Sequence, residues 1–377
     1  MDKIYLDNNS TTPVDPEILN CMLPYFSKNF GNPSSRTHSF GWEAEAIVEK
    51  NRKAIAELIN SETNEIFFTS GATESNNIAL LNILNSINKN KIITCKTEHR
   101  AVLDICKELE KKDIKIKYLK PHNNGLINVE QLKQAIDSDT YMVSIMHANN
   151  EIGVIQPIEE IGAICKKNNI ILHVDAAQSL GKVGIDVLKS NVNLMSFSAH
   201  KMYGPKGIGA LYINNSLKEK IFPLAFGGGQ EKGIRPGTLP VPLIVGFGEA
   251  CKKASTIMIE ESKRIKVLRD NLLKSIKDAI PSLIINGCLE KRLSGNLNLS
   301  FPSLKGQSIV TSIPQVALSS GSACSSSLPK ASHVLLNIGL STDLCNSSIR
   351  IGIGRFNTKK EITIAAEAII KAVKMKS

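Results

Sequence analysis

The chain has 377 residues, 46 Lys and Arg against 35 Asp and Glu for a formal net charge of +11, and 42% hydrophobic residues. That is enough for one large domain and a smaller one with packed cores, and it excludes a disordered or low-complexity chain. No apolar run reaches spanning length and Met1 to Asp7 carries no secretory stretch, which excludes a membrane protein and predicts a cytoplasmic one, an organelle ranking second because no transit segment is present.

Along the chain, Asp15-Pro16 reads as a cap and first helical residue, opening a helix to about Tyr25. The loop Phe30 to Ser35 leads into a long helix, about Gly41 to Ile59. Strands are predicted near 66–68, 91–95, 114–119, 140–147, 170–175, 193–198 and 209–213. Helices are predicted near 74–84, 100–112, 129–136 and 158–168. This alternation predicts an α/β fold, a mostly parallel sheet covered by helices on both faces. From about Ala250 the pattern changes to a long helix ending near Ile280, short strands at 297–300, 316–319 and 349–353, and a last helix opened by the capping-box spacing of Thr358 and Glu361. A smaller α+β domain is predicted there, giving a large domain over 15–255 and a small one built from 1–14 plus 256–377.

The eight cysteines (Cys21, Cys95, Cys106, Cys165, Cys251, Cys288, Cys324 and Cys345) form no C-x-x-C pair. This argues against an intrinsic zinc or cluster site and against a disulfide framework. Most sit in apolar settings and read as small core residues. Cys324 lies instead in a Ser- and Gly-rich run. The positive charge is spread evenly, as in Lys111 to Lys117, where alternation puts lysines on the wet face of a strand. It reads as compositional bias, with an acidic partner as the alternative. No aromatic interleaving marks a nucleic-acid groove, so direct nucleic-acid binding is not expected.

Two strand ends carry the chemistry. The run Val192 to Phe197 delivers Lys201 into a loop of small residues between Ser198 and Gly207. A partly desolvated lysine there can form a Schiff base with a carbonyl cofactor. The strand Ile170 to Val174 ends in Asp175, at the sheet edge where open α/β folds put their ligands. A lysine for the aldehyde and an acid for the pyridine nitrogen are what pyridoxal phosphate (PLP) needs. Asp175 could instead be a plain helix cap. Thr69 to Ser75 turns from a strand into a helix start, an anion cradle or an ordinary Thr/Ser cap.

Taken together, Tyr5-Leu6-Asp7-Asn8-Asn9 with Thr11-Thr12-Pro13, Gly31 to Ser35, Thr69 to Asn76, Glu98-His99, Asn149 to Gly153, His173 to Gln178, Ser198 to Gly209, Arg235 to Thr238 and Ser319 to Cys324 resemble the cysteine desulfurases of the NifS/IscS type, from residue 4 to about 365. Gly237 to Val241 and Ser348 to Phe356 resemble the bacterial iron–sulfur housekeeping branch. The resemblance implies the PLP fold type I, with a seven-stranded sheet and a small domain carrying the catalytic cysteine loop.

At the matching positions, the resemblance implies that Lys201 holds PLP, Asp175 pairs with the pyridine nitrogen and His99 stacks on the ring. It gives the phosphate to Ala72, Thr73, Ser198 and His200, joined by Thr238 from the second subunit of a homodimer. It gives the ring hydroxyl to Asn150 and Gln178, and the substrate carboxylate to Arg350 with Asn32 beside it. Lys201 would remove the Cα proton of L-cysteine, and Cys324 would take the sulfur as a persulfide and release L-alanine. The sulfur would serve iron–sulfur cluster assembly or tRNA thiolation, through an acceptor such as a scaffold protein. Cys324 is also a candidate ligand for a transferred iron–sulfur cluster, and no intrinsic metal is expected.

Three departures stand out. Ser10 replaces the usual alanine. Gln307 to Gln315 lacks the expected acidic residue and gains Pro314. The sequence stops at Ser377, short of the longer tail with which the family's housekeeping branch docks its scaffold, which puts the scaffold interaction, though not the desulfuration chemistry, in doubt. A related lyase or aminotransferase, and a catalytically silent binding homologue, are the competing readings. Cys324 speaks against the former, and bound cofactor would exclude the latter.

Overall fold

The computed structural model describes residues 3–86, 89–320 and 331–376. Seven strands form the central sheet: β1 (Ile66–Thr69), β2 (Lys91–Cys95), β3 (Lys115–Leu119), β4 (Thr140–Ser144), β5 (Ile171–Asp175), β6 (Leu194–Ser198) and β7 (Gly209–Ile213). Their order is β1-β7-β6-β5-β4-β2-β3, and only β7 runs antiparallel to its neighbours. The inner strands are buried along almost their whole length because helices cover both faces, whereas the edge strand β3 alternates, with Lys115 and Lys117 exposed. With six strands pointing the same way, the carboxyl ends of β1, β5 and β6 meet at one edge. That edge carries the site.

Helix α1 (Ser39–Leu58) is capped by the His38 ring and buries Ala44, Val48 and Ile55. It packs on the long helix α2 (Val241–Ala279). The two approach so closely at Gly248 that a Cβ there would lie 2.2 Å from Asn51 Oδ1. Helix α2 begins nine residues before the predicted start near Ala250, because Pro242 falls in its first turn, where a missing N–H costs nothing. At 39 residues it runs about 58 Å. Its first half buries Ile244, Phe247 and Cys251 in the core under the sheet. Its second half buries Leu268, Leu272 and Ile276 in another core.

The second core is built on the antiparallel strands Ile284–Ile285, Asn296–Ser300 and Ser348–Gly352 and on the last helix, Lys359–Lys376. Ile4 and Leu6 belong to it, since Ile4–Tyr5 pairs in parallel with Val316–Ala317. The next residues, Asp7 to Thr12, therefore cross from this core to the sheet edge. The short edge strand at 284–285 and the one-turn helices His333–Asn337 and Thr342–Asn346 were not predicted.

Candidate active site

The turn after β1 is the first wall of the site. Thr69 Oγ1 meets Ser75 Oγ at 2.8 Å, and Ser75 Oγ donates to Ala210 O at 3.0 Å, pinning the start of the helix Ala72–Leu81 to β7. Gly209 is required here: a Cβ on it would lie 2.6 Å from Gly71 Cα. The first-turn N–H groups of such a helix have no intrahelical acceptor, so they and the Thr73 hydroxyl form an anion cradle. Glu74 accepts from Ser70 N at 2.5 Å and from Arg235 Nε at 3.1 Å, which fastens the Arg235 loop to this turn.

Asp175, at the end of β5, is 5% exposed. Its Oδ2 accepts from Asn76 Nδ2 at 2.8 Å and its Oδ1 from Ala177 N at 3.0 Å. The turn-capping bond and the buried carboxylate thus coexist. Lys201 closes the one-turn 3-10 segment after β6, and its Nζ donates to Asn9 O at 2.9 Å and to Ser10 O at 2.5 Å. Gln178 Nε2 donates to the same Asn9 O at 2.8 Å. The Asn9-Ser10 segment therefore fixes two expected cofactor contacts.

His99 caps its helix, its Nδ1 accepting from Ala101 N at 3.1 Å, which leaves the proton on Nε2. Burial, followed by the Asp175 charge acting the other way and then the Lys201 charge, leaves His99 below its ordinary pKa. His200 Nδ1 lies 3.0 Å from Thr11 Oγ1, and burial with the charges of Lys201, Lys206 and Lys182 pushes its pKa down to about 4. Both imidazoles are neutral at pH 7. Glu98 is driven the other way by burial and stays protonated more readily than an ordinary carboxylate.

Arg350, on the edge strand Ser348–Gly352 of the three-stranded sheet, is 2% exposed. Its Nη1 donates to Asn150 O at 3.1 Å and its Nη2 faces Asp7 Oδ1 at 2.9 Å. Ala72, Thr73, His99, Asn150 and Asp175 line one cavity of about 520 Å³ together with Gln178, Ser198, His200, Lys201 and Arg350. Asn32 and Thr238 do not line it; Asn32 Oδ1 accepts from Ser34 N at 2.9 Å. Cys324 lies outside the described residues.

Sequence reasoning missed Asn76, Asp7 and the Asn9 and Ser10 carbonyls as parts of the site. Asn76, Asp7 and Asn9 fall inside motifs quoted above and Ser10 between two of them, but a carbonyl contact leaves no residue-type signal.

The cavity fits PLP. It offers an amine, a buried carboxylate beneath it, and an anion cradle, in a volume of the size that holds a small cofactor with its substrate. Fold and site together define a lysine-anchored α/β enzyme whose ligand sits at the carboxyl edge of the sheet.

Residues 4–364 match the family "aminotransferase class-V". The chain is 51% identical over 374 residues to the cysteine desulfurase IscS of Ehrlichia chaffeensis, covering 98% of this chain and 91% of that one. A solved NifS-like protein superposes with a TM-score of 0.90 at 36% identity, covering 99% and 100% of the two chains. The structure of SspA in complex with cysteine superposes at 0.80, also 36% identical, covering 94% and 100%. This chain belongs to the class-V aminotransferase family.

Proposed function

We propose that the chain is a PLP-dependent L-cysteine desulfurase that passes sulfur to an acceptor for iron–sulfur cluster assembly or tRNA thiolation. The observation that carries this is the convergence of Lys201, Asp175 and Arg350 on one cavity. The relative named a cysteine desulfurase, and the neighbour solved with cysteine, support the substrate.

When bound, PLP supplies an electron-poor ring that accepts the electron pair left at the substrate Cα. Lys201 anchors it and, once free, takes the Cα proton at Nζ. Asp175 keeps a proton on the ring nitrogen, and neutral His99 offers a flat face with its proton at Nε2. Ala72, Thr73, Ser198 and His200 hold the phosphate, His200 through an N–H and not a charge. Asn150 and Gln178 face the ring hydroxyl. Arg350 grips the substrate carboxylate, with Asn32 assigned beside it. Cys324 as thiolate would attack the substrate sulfur: an S–S bond forms, the Cβ–S bond breaks with its electron pair left on carbon, and the carbon fragment takes one proton at Cβ, recovers the one lost from Cα, and leaves as alanine. The same thiol is the candidate ligand for a transferred cluster.

A homodimer completes this reading. Thr238 does not line its own cavity, as suits a residue serving a partner's site, and Phe30, Phe40, Trp42, Phe222 and Phe226 are exposed. The separate core around α2's second half supports a large domain over 15–255 and a small one over 1–14 plus 256–377. The seven described cysteines are free thiols, which supports a reducing, cytoplasmic compartment. No helix among the described residues is long and apolar enough to cross a membrane.

The test is the absorbance of the purified protein before and after L-cysteine, with alanine assayed in parallel. A visible cofactor band that shifts as alanine appears is expected. A protein that binds PLP yet releases no alanine would overturn the reading.

A further inference from the structure

Arg350 Nη2 carries two hydrogens but faces three oxygens: Ser10 Oγ at 2.6 Å, Asp7 Oδ1 at 2.9 Å and Ser319 Oγ at 3.1 Å. Ser10 is the nearest. A serine hydroxyl that accepts from a guanidinium still has its own proton to donate. Among the described residues that proton has no acceptor, although Ser10 lines the cavity beside Lys201 and Arg350. Its backbone is rigidly set: Ser10 N donates to Asp7 O at 2.9 Å and Ser10 O accepts from Lys201 at 2.5 Å. Arg350 Nε is buried without a partner among the described residues. The guanidinium is thus held at Nη2 and, through Nη1, by Asn150 O at 3.1 Å, beside a Ser10 hydroxyl whose proton is left for a ligand in the cavity.

We infer that Ser10 is a positioning and specificity residue of the substrate site, its oxygen holding Arg350 Nη2 while its proton goes to the carboxylate of the bound amino acid. This rests on the assignment of Arg350 to that carboxylate. A hydroxyl and a guanidinium aimed at one carboxylate select for an α-amino acid against the matching amine. Without the hydroxyl, Arg350 also loses an acceptor and is freer to turn toward Asp7.

The experiment uses the PLP-loaded chain with Ser10→Ala and Ser10→Thr. The readouts are the dissociation constants for L-alanine and cysteamine, taken from the shift of the cofactor band, and the KM and kcat for L-cysteine. Ser10→Ala is expected to weaken L-alanine about tenfold, the loss of one hydrogen bond to a charged group, and to raise KM by a like factor while kcat changes much less. Ser10→Thr, which keeps the hydroxyl, is expected to restore most of the affinity. Cysteamine has the amine and the thiol but no carboxylate, so its affinity is expected to be the same in the native chain and in Ser10→Ala. Unchanged L-alanine affinity in Ser10→Ala overturns the inference, as does an equal loss for cysteamine. Because amino-acid binding is read apart from turnover, a native chain that binds L-alanine but releases none from L-cysteine fails the proposed function and leaves the Ser10 test intact.

Discussion

Replacing Asp175 by asparagine removes one charge from the floor of the cavity and almost nothing else. Oδ1 and its bond from Ala177 N remain. The new amide would face the Asn76 amide nitrogen across the present 2.8 Å contact, two donors head to head. Asn76 can resolve this, because its Oδ1 is buried without a partner among the described residues and a half-turn of the amide presents it as an acceptor. The fold is therefore expected to survive. What is lost is the interaction between carboxylate and protonated ring nitrogen. Two unit charges about 4 Å apart at an effective dielectric constant near 20 interact by about 4 kcal/mol, or about a thousandfold in rate. The assay is alanine release under single-turnover conditions, with PLP saturation checked by absorbance. A fully loaded Asp175→Asn chain within about tenfold of native would refute the reasoning, since the predicted electrostatic loss is much larger.

Lys201→Ala is expected to bind PLP without a covalent link, so that borohydride no longer fixes the cofactor to the protein, and to lose alanine release by more than about a thousandfold; covalent capture in that variant would contradict the lysine's role. His173 is fully buried between Ser144 Oγ at 2.8 Å and Ser196 Oγ at 3.1 Å, and burial pushes its pKa from 6.5 down to about 4. As pH falls through 6.5 the unfolded chain takes up a proton that the folded chain refuses until about pH 4, so this group lowers stability on acidification across that window. The loss amounts to about 3 kcal/mol at the low end, and His173→Gln should flatten that part of the stability curve measured by urea unfolding. The buried pair of Arg52 with Glu231 has both bonds at 2.7 Å, and Glu231 also accepts from Phe68 N at 2.6 Å. Glu231→Gln leaves the buried guanidinium only the exposed Glu49 at 2.9 Å and Ile66 O at 2.8 Å as close partners, and is expected to cost about 3 kcal/mol in urea unfolding, without loss of PLP binding.

Lys201 and Asp175 were legible because each ends a strongly apolar strand, and strand ends at one edge of a parallel sheet must converge. Helix α2 shows the opposite case. Its first turns carry Pro242, Gly246 and Gly248, residues that lower helix propensity but here pack against Asn51 and the core, so tertiary contact overrode local preference. Asp7 was legible only as part of a motif, and Ser10 only as a departure from one. Their place in the site comes from the pairing of Ile4–Tyr5 with Val316–Ala317, a contact more than three hundred residues apart that no local pattern encodes. The Ser10 hydroxyl, which no local pattern assigns to the site, lies 2.6 Å from Arg350 Nη2.

The most direct measurement is peptide mass spectrometry after one turnover with L-cysteine, without reductant, on the native chain and on Cys324→Ala. One added sulfur on the peptide carrying Cys324, matched mole for mole by alanine, is the expected result, together with near-zero alanine from the variant. Normal alanine release by Cys324→Ala, or sulfur on another cysteine, would contradict the assignment of Cys324 as the sulfur carrier.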